Sequence, residues 1–436
     1  MEKEIRLKRL HLTAATVART LLALVFLFSG FVKAIDPLGT AYKIQDYCTA
    51  FSWTFLYDYA KFLAFLLFSF ELVAGLTLLL GLSRRKGIWA VTLFLTCMTA
   101  LTCCIYMTDP IRDCGCFGDA VSLTNGQTFA KNIVLLALSL VVLTCRQPLY
   151  ALFGSATSRW AFAVCLLVPV ILGVYSLRHL PMIDFRPYRI GNKLQELMTV
   201  PQGAPTDSIV MEYLYEKEGR QQRFTAVDIP YQDTAWHYLR REARVVRKGY
   251  VPPIHDFTIL HPTYGDITQI ILEYPSYTFL WISSKLETAN HRPGPELKKL
   301  ENYVQQYGYL LFVLTASTDD MIDEWSYEYD LETPFCSVDE TTLRTIVRSN
   351  PGLVLLKNGE VYNKWSAHDL EQVVEALDGP LKSSPYGEKS DRSGFFVLWK
   401  LLQGFFFLLL LVYFIHLSSV IYNKIKQKRT SKTQTT

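Results

Sequence analysis

The chain carries little charge, and its glycines and prolines are too few for a fibrous or low-complexity protein. Only 19% of the 436 residues are Asp, Glu, Lys or Arg, whereas 50% are hydrophobic. The formal net charge of +4 is too small to indicate nucleic-acid binding. With 23 glycines and 19 prolines, the composition is that of a folded chain. Length and apolar content together predict a membrane protein with more than one domain.

Long apolar segments are concentrated in the first 180 residues and again after Phe395. Each has about the length needed to cross roughly 30 Å of hydrocarbon. The first could be a signal peptide, but it is long for one and further spans follow, so we interpret it as a span. Pro169 is expected to kink the fifth span. The six predicted spans are residues 12–33, 60–82, 88–107, 129–145, 160–177 and 395–422.

The distribution of lysine and arginine predicts how these spans are oriented. One set of loops contains the basic N-terminus, the cluster at 84–86 and the basic tail at 423–436. The opposite loops contain mainly Lys43 and Arg112. Because basic loops remain in the cytoplasm, we expect a bacterial inner-membrane protein with both termini cytoplasmic and residues 181–394 in the periplasm.

Two cysteines flank a single glycine in Cys114-Gly115-Cys116, which falls in an outward loop of this topology. A disulfide between them would close a small, strained ring, and strained exposed disulfides are the reactive ones. We therefore favour a redox pair, in a compartment where thiols oxidise. Structural disulfides to distant cysteines are the alternative. A metal site is least favoured, because two thiolates fill only half of a zinc shell and no histidine lies nearby.

The remaining cysteines give weaker signals. Cys48 lies in the other outward loop and could resolve or shuttle a disulfide, although a lone loop cysteine can equally be inert. Cys336 lies in an apolar strand and is expected to be an unreactive core residue. The others fall within or beside apolar runs and are expected to be small buried hydrophobes. They are Cys97, Cys103, Cys104, Cys145 and Cys165.

Three ionisable residues mark the first two spans: Arg19, Lys33 and Glu71. A carboxylate near the bilayer centre is costly, so Glu71 should be protonated or paired. Lys33 ends the first span, which puts it about 16 Å from the depth of Glu71 at 1.5 Å per residue. Arg19 differs from Glu71 by only about 6 Å in depth. We therefore predict a structural Arg19–Glu71 ion pair, in preference to a role for Glu71 in ion transport.

Between the fifth and sixth spans lies an insert of about 200 residues, enough for a domain with its own core. Its first part contains a predicted strand at 209–215 and a basic, helix-like run at 234–248. Its second part alternates strands and helices, which predicts an α/β sandwich. An Asn358-Gly359 turn joins the last two strands, and Ser366 is expected to cap the last helix, 367–377. The predicted strands are 277–282, 310–314, 334–338, 352–357 and 360–365, and the earlier helices are 295–307, 319–329 and 341–348.

Residues 1–150 resemble the MauE/DoxX group of four-helix membrane proteins. The segment 114–119, Cys-Gly-Cys-Phe-Gly-Asp, is specific to the MauE-like branch. Weaker matches are Arg19, Ser29-Gly30, Lys33, Asp36-Pro37, Glu71 and Gly75. The resemblance implies a bundle like that of vitamin K epoxide reductases, and work on the thiols or disulfides of periplasmic proteins. Cys114 and Cys116 would then pass electrons between such a partner and a membrane carrier such as a quinone.

Residues 250–378 resemble thioredoxin-like domains of the TlpA kind. The matching stretch is 349–360, in which Pro351 occupies the position of that fold's cis-proline. After the strand at 277–282 the family carries Cys-x-x-Cys, whereas this chain reads Ser283-Ser284-Lys285-Leu286. The resemblance therefore implies the fold without its dithiol chemistry.

The predicted fold class is a multi-domain membrane protein: a six-span helical bundle with a periplasmic α/β thioredoxin-like domain. The predicted divisions are 1–150, 151–181, 182–249, 250–380, 395–422 and 423–436. Two functions fit this organisation. One is a thiol–disulfide oxidoreductase that acts through Cys114 and Cys116. The alternative is a non-catalytic assembly protein whose thioredoxin-like domain docks a periplasmic partner, with the Cys-Gly-Cys pair as a structural staple. A mild reductant should change the state of a redox pair and leave a staple intact.

Overall fold

A computed structural model describes residues 2–82, 85–111, 115–145, 151–205, 208–217, 219–225, 228, 233, 235–247, 249–390 and 395–433. The first part of the chain is built from helices. They are α1 (Glu2–Ile35), α2 (Pro37–Ala50), α3 (Thr54–Tyr57), α4 (Ala60–Leu80), α5 (Arg85–Thr108), α6 (Asn125–Thr144) and α7 (Ser155–Arg178).

Two glycines allow α1 and α4 to pack against each other at backbone distance. A methyl group at Gly30 would lie 2.7 Å from the backbone nitrogen of Leu72. One at Gly75 would lie 2.8 Å from the backbone nitrogen of Leu27. Small residues of this kind are how membrane helices approach closely. The two contacts also fix the relative height of the helices, with Leu72 level with Gly30 and Gly75 level with Leu27.

This register makes α4 extend past the end of α1. Counted from the Gly30–Leu72 contact, α4 begins roughly seven residues, or about 10 Å, beyond Ile35. There α4 packs against α2, where Ala41, Ala60 and Ala64 form a small buried cluster. The ends of the helices are therefore staggered.

A three-stranded antiparallel sheet follows a short helix, α8 (Leu194–Met198). Its strands are β1 (Ser208–Lys217), β2 (Arg220–Thr225) and β3 (His237–Arg247), in the order β2-β1-β3. The strand predicted at 209–215 is confirmed. The helix-like reading of 234–248 is wrong, because β3 pairs with β1 from Ser208↔Arg247 to Glu216↔His237. The run was interpreted from its own residues alone, whereas its partner strand β1 begins about 30 residues earlier in the chain.

Residues 249–390 form an α/β region around a seven-stranded sheet with the order β10-β9-β6-β7-β8-β4-β5. Strands β6, β7 and β8 are mutually parallel, and the other neighbours are antiparallel. The elements are β4 (Leu260–His261), β5 (Gly265–Asp266), α9 (Thr268–Glu273), β6 (Tyr277–Ser283), α10 (Gly294–Tyr307), β7 (Leu310–Thr315), α11 (Asp319–Glu328), β8 (Phe335–Ser337), α12 (Glu340–Ile346), β9 (Gly352–Lys357), β10 (Glu360–Ser366) and α13 (Leu370–Glu375).

The predicted strands and helices of this region are present, and apolar clusters cover both faces of the sheet. One boundary was predicted wrongly. Helix α13 begins at Leu370 with Asp369 as its N-cap, so Ser366 does not cap it. Instead, residues 366–369 form a turn, in which the Ser366 hydroxyl donates to the Asp369 carboxylate at 2.7 Å. The Ser366 hydroxyl therefore stabilises the turn that precedes α13.

The chain ends in α14 (Phe395–Thr433). Among the described residues, six helices are long and apolar enough to cross a membrane, as predicted. They are Lys3–Ile35, Ala60–Leu80, Arg85–Thr108, Asn125–Thr144, Thr157–Arg178 and Phe396–Tyr422. Pro169 lies inside α7. The architecture is therefore that of a multi-pass membrane protein with an α/β region inserted before its last span.

Buried charges connect the end of α7 to the α/β region. Asp184 contacts Arg186 at 2.7 Å and Lys364 of β10 at 3.0 Å. Burial alone would raise the pKa of Asp184, but Lys364 and Arg186 outweigh it and hold that pKa at about 2. Burial lowers the pKa of Lys364 to about 8, against the opposing effect of Asp184. Both groups are therefore charged at neutral pH and hold β10 close to the membrane helices.

The glycine contacts predict an asymmetry between two similar substitutions in membrane helices. Gly75→Ala should lower the free energy of unfolding by about 1–3 kcal/mol, because the new methyl group overlaps α1. Gly404→Ala in α14 should cost nothing, since its methyl group would have no neighbour within 4 Å and alanine favours helix. Unfolding of the two purified variants in detergent measures the difference. Equal stability of both variants would contradict the α1–α4 packing.

Candidate functional site around Cys116

A cavity of about 310 Å³ lies among α1, α2, α4, α5 and α6 and is closed on one side by the loop that follows α5. Its walls are mainly apolar and aromatic, with Tyr47, Trp53 and Phe94 among them. Two cysteines, Cys48 and Cys116, line it. The polar side chains in the wall are Ser29, Lys33, Thr40, Lys43, Glu71, Thr102, Lys131 and Asn132. The cavity is thus an apolar space with thiols and charged groups in its wall.

The loop that carries Cys116 is a tight turn made by two glycines. Gly115 and Gly118 have φ values of +61° and +52°, a conformation that side-chain-bearing residues rarely adopt. The amide of Gly118 donates to the carbonyl of Gly115 at 3.0 Å. A methyl group at Gly118 would lie 3.2 Å from Val32 of α1, so the loop rests directly on that helix. The glycines of the Cys-Gly-Cys-Phe-Gly-Asp motif therefore place the loop over the end of α1.

A buried ion pair lies directly beneath this loop. The Lys33 ammonium contacts the two carboxylate oxygens of Glu71 at 2.8 and 3.0 Å. It also donates to the Ser29 hydroxyl and to the backbone carbonyl of Cys116, both at 2.6 Å. The Ser29 hydroxyl donates to the same carbonyl at 3.0 Å. An ammonium has three protons, so Lys33 can serve Glu71, Ser29 and Cys116 together. The ion pair therefore holds the backbone at Cys116.

The predicted Arg19–Glu71 pair is wrong, because Glu71 binds Lys33. The depth estimate placed the outer ends of the first two spans level with each other. In the structure, the Gly30–Leu72 contact brings Glu71 beside the last turn of α1, where Lys33 lies. Arg19 is buried lower in the bundle, about 12 Å along α1 below Leu27, which is level with Gly75. Of the three predicted intramembrane residues, the structure brings together Lys33 and Glu71.

The predicted catalytic cysteines have different environments. Cys116 is partly exposed and lines the cavity, and Cys48 on α2 is buried in its wall. Burial raises the pKa of the Cys48 thiol, so that this thiol resists ionisation. Cys114 lies outside the described residues.

Two lysines that the sequence did not single out accompany the loop. A Cβ atom at Gly115 would lie 3.0 Å from Cγ of Lys43. The Lys131 ammonium of α6 lies 4.5 Å from the ring centre of Phe117. The aliphatic part of Lys43 and the ammonium of Lys131 thus lie against residues 115–117. Charged residues inside or beside spans are the signal that could have indicated them.

The α/β region contacts the same loop through Arg348, which follows α12. Its guanidinium binds Asp119 at 3.0 Å and Asp36 at 2.9 Å, and its side chain is 8% exposed. Burial lowers the pKa of Arg348, but Asp36 and Asp119 outweigh this effect and raise it. Asp36 caps α2 by accepting from the amide of Gly39. Because these residues are far apart in sequence, nothing in the sequence pattern predicts the contact.

Hydrogen bonds hold residues 283–286, the segment in which the thioredoxin resemblance would place Cys-x-x-Cys. The Ser283 hydroxyl donates to the Asn350 side chain at 2.7 Å, and the Asn350 amide donates to the Lys285 carbonyl at 2.8 Å. The Asn350–Pro351 peptide bond is cis. Cys336 is fully buried, and burial raises its pKa to about 12, which agrees with an unreactive core thiol.

A second cleft, of about 890 Å³, separates the α/β region from the membrane helices. Tyr42 and Lys61 line it from the helices, and Asn350, His368 and Glu371 line it from the α/β region. The cleft is open, and its lining is more polar than that of the cavity at Cys116.

Fold and site together define a multi-pass membrane protein with a thiol-bearing loop over an intramembrane cavity. The sequence model of the family described as methylamine utilisation protein MauE matches residues 12–145. A second model, a domain of unknown function designated DUF8463, matches residues 209–248. No curated protein and no solved structure matches the chain. The MauE match covers the helices and the loop that form the cavity, and it confirms the MauE part of the predicted resemblance.

The Lys33–Glu71 pair predicts strong coupling between two substitutions. Lys33→Met or Glu71→Leu alone should lower the free energy of unfolding by about 3–5 kcal/mol, because each leaves a buried charge without its partner. The double variant should recover part of that loss. The measurement is the unfolding of each purified protein in detergent.

The exposed Glu4–Lys8 pair supplies the control for this prediction. Its members are one helical turn apart and more than 60% exposed, so Lys8→Met should cost less than about 1 kcal/mol. Strictly additive losses at Lys33 and Glu71 would show that the two residues do not act as a pair.

Proposed function

We propose that this chain is a thiol–disulfide protein of a bacterial inner membrane, acting through Cys114 and Cys116. The observation that carries the proposal is the position of Cys116. Cys116 lines an intramembrane cavity, and its carbonyl is held by the Lys33–Glu71 pair. A Cys114–Cys116 disulfide that only stabilised the loop would need neither the cavity nor the buried charges.

The chemistry is thiol–disulfide exchange with a partner that carries two thiols. A thiolate of the partner attacks one sulfur of the Cys114–Cys116 disulfide, and the other cysteine leaves as a thiolate. The second partner thiolate then attacks the mixed disulfide. The partner gains a disulfide, and Cys114 and Cys116 gain two electrons and two protons. Reduction of a partner disulfide is the reverse sequence, and relative potentials decide the direction.

The cavity fits a lipid-soluble electron carrier of the quinone class. Tyr47, Trp53 and Phe94 offer aromatic surfaces for a flat ring, and Lys43 and Lys131 lie at the wall where carbonyl oxygens could accept hydrogen bonds. A bound quinone would supply a two-electron, two-proton acceptor for the reduced cysteine pair. The chain would hold the ring against Cys116, keep bulk water away and leave Cys48 within the same cavity as a thiol that could shuttle the disulfide.

The α/β region would recruit the periplasmic partner. A thioredoxin-like fold is supported by the βαβ unit β6-α10-β7, the antiparallel hairpin β9–β10 with α13 after it, and the cis-proline before β9. Because residues 283–286 contain no thiol, the region has no dithiol chemistry of its own there. The polar cleft beside Asn350 offers a surface for a partner polypeptide close to the Cys-Gly-Cys loop.

The second candidate is a non-catalytic assembly protein. It is favoured by one observation, namely that Asn350 and Ser283 fill the place of the missing dithiol with their own hydrogen bonds. In that case the cleft would hold a partner, and the Cys-Gly-Cys pair would only stabilise the loop. The redox state of the pair separates the two candidates.

The redox proposal predicts a specific effect of cysteine substitutions. Cys114→Ser and Cys116→Ser should abolish complementation of a deletion strain at normal protein level, and the native pair should shift from disulfide to dithiol with mild reductant. Acid trapping and alkylation in intact cells, read as a gel shift, measures the second result. Cys104→Ser on the exposed face of α5 is the matched control and should complement fully. Full complementation by Cys116→Ser would refute the redox proposal and leave the non-catalytic assembly protein as the remaining candidate.

We also propose the orientation in which both termini are cytoplasmic and residues 181–394 are periplasmic. The support is the clustering of basic residues at the N-terminus, at 84–86 and in the tail at 423–436. The oxidising compartment that the exchange chemistry needs would then contain both the loop and the α/β region.

Labelling of introduced cysteines tests this orientation. Ser383→Cys, at an exposed position of the α/β region, should react with a membrane-impermeant maleimide in intact spheroplasts. Ile5→Cys, 48% exposed near the N-terminus, should react only after the membrane is opened. Both signals are compared with the parent protein. The reverse pattern would place the α/β region in the cytoplasm.

A further inference from the structure

Arg348 joins the α/β region to two carboxylates of the membrane bundle. Its Nε binds the Asp36 carboxylate at 2.9 and 3.2 Å, and its Nη2 binds Asp119 at 3.0 Å. Its Nη1 donates to the carbonyl of Arg344 at 2.6 Å, which fixes the guanidinium to the end of α12. The Arg348 side chain is buried and that of Asp36 is partly buried, whereas the Asp119 carboxylate is partly exposed. Charge-assisted hydrogen bonds to a buried guanidinium are stronger than fully exposed ion pairs.

The surrounding residues leave space shaped for this guanidinium. A methyl group at Gly39 would crowd the Asp36 carboxylate and lie 2.8 Å from Nη2 of Arg348, so a larger residue would press against this ion pair. The ring of Tyr42 lies 5.4 Å from the guanidinium carbon. The guanidinium is therefore closely packed at the point where the α/β region meets both α2 and the loop.

Asp119 lies three residues after Cys116, in the turn that the Ala120 amide closes by donating to the Phe117 carbonyl. The loop is thus held from two sides. Lys33 holds the carbonyl of Cys116 from inside the bundle, and Arg348 holds Asp119 from the α/β region. We propose that Arg348 is a positioning residue: by holding Asp119 it sets the position of the Cys-Gly-Cys loop and couples thiol access to the docking of the α/β region.

The position of the loop can be measured without any redox activity. In a full-length Cys114→Ser background, the rate at which an impermeant maleimide alkylates Cys116 reports its exposure. Arg348→Ala should raise that rate roughly tenfold, a usual size for coupling between two sites. Asp119→Asn should raise it similarly, and the double variant should be no faster than either single one, because both remove the same contact. Arg348→Lys should restore part of the wild-type protection.

Two features make this test specific. Loss of a nearby positive charge disfavours the thiolate, and loss of a negative charge favours it. An effect through charge alone would therefore slow alkylation in Arg348→Ala and speed it in Asp119→Asn, whereas positioning speeds both. Arg344→Ala is the matched control, because Arg344 stacks on Tyr42 at 4.7 Å one turn earlier in α12. It should leave the rate unchanged, and an equal acceleration would overturn the proposal, as would unchanged rates in Arg348→Ala and Asp119→Asn.

With Cys114 present, the consequence for the proposed function can be read separately. Titration of the purified full-length protein with glutathione buffers should give a reversible dithiol–disulfide transition, which Arg348→Ala shifts and Arg344→Ala does not. This second readout rests on the proposed redox function. Absence of any transition in the wild type would refute that function, while the alkylation rates would still decide whether Arg348 positions the loop.

Discussion

The buried pair of Lys33 and Glu71 is the interaction on which the site depends. Removing two charges from water costs several kcal/mol per ion, and their attraction offsets this only with good geometry and additional hydrogen bonds. Both conditions hold, since Lys33 contacts both Glu71 oxygens, Ser29 and the Cys116 carbonyl. The same ammonium therefore links the α1–α4 contact to the cysteine loop, and the position of that loop depends on helix packing.

That pair exists only because two glycines set the register of α1 and α4. The spans themselves could be predicted, because apolar length and hydrocarbon thickness are local properties of the sequence. The partner of Glu71 could not, since the depth estimate assumed that the helices end level. Gly30 and Gly75 stagger them by about 10 Å, which brings Lys33 beside Glu71 and leaves Arg19 lower in the bundle. The stagger depends on two backbone contacts between segments that are 42 or more residues apart.

In the α/β region, too, features set by neighbouring residues could be predicted, whereas contacts between residues distant in sequence could not. Its strands and helices were predictable from period and turn residues, such as Asn358-Gly359 between β9 and β10. The error at 234–248 arose because pairing with β1, which the run itself does not reveal, determines its structure. The Arg348 contacts to Asp36 and Asp119 could not be predicted for the same reason, since the two aspartates were noted only as parts of family-like segments and nothing linked them to Arg348.

The two described cavity thiols have different environments, which gives them different parts in the proposed exchange reaction. The thiolate is the reacting form of cysteine, and a negative charge needs cations or hydrogen-bond donors near it. Cys116 is partly exposed on a loop that rests on α1, whereas Cys48 is buried in the cavity wall and burial raises the pKa of its thiol. In the proposed exchange reaction, Cys48 is therefore a poor first nucleophile, and the first step belongs to the loop. If Cys48 participates, its place is after the loop: its thiolate would attack a loop sulfur that is already in a mixed disulfide with the partner, and the partner thiolate would leave.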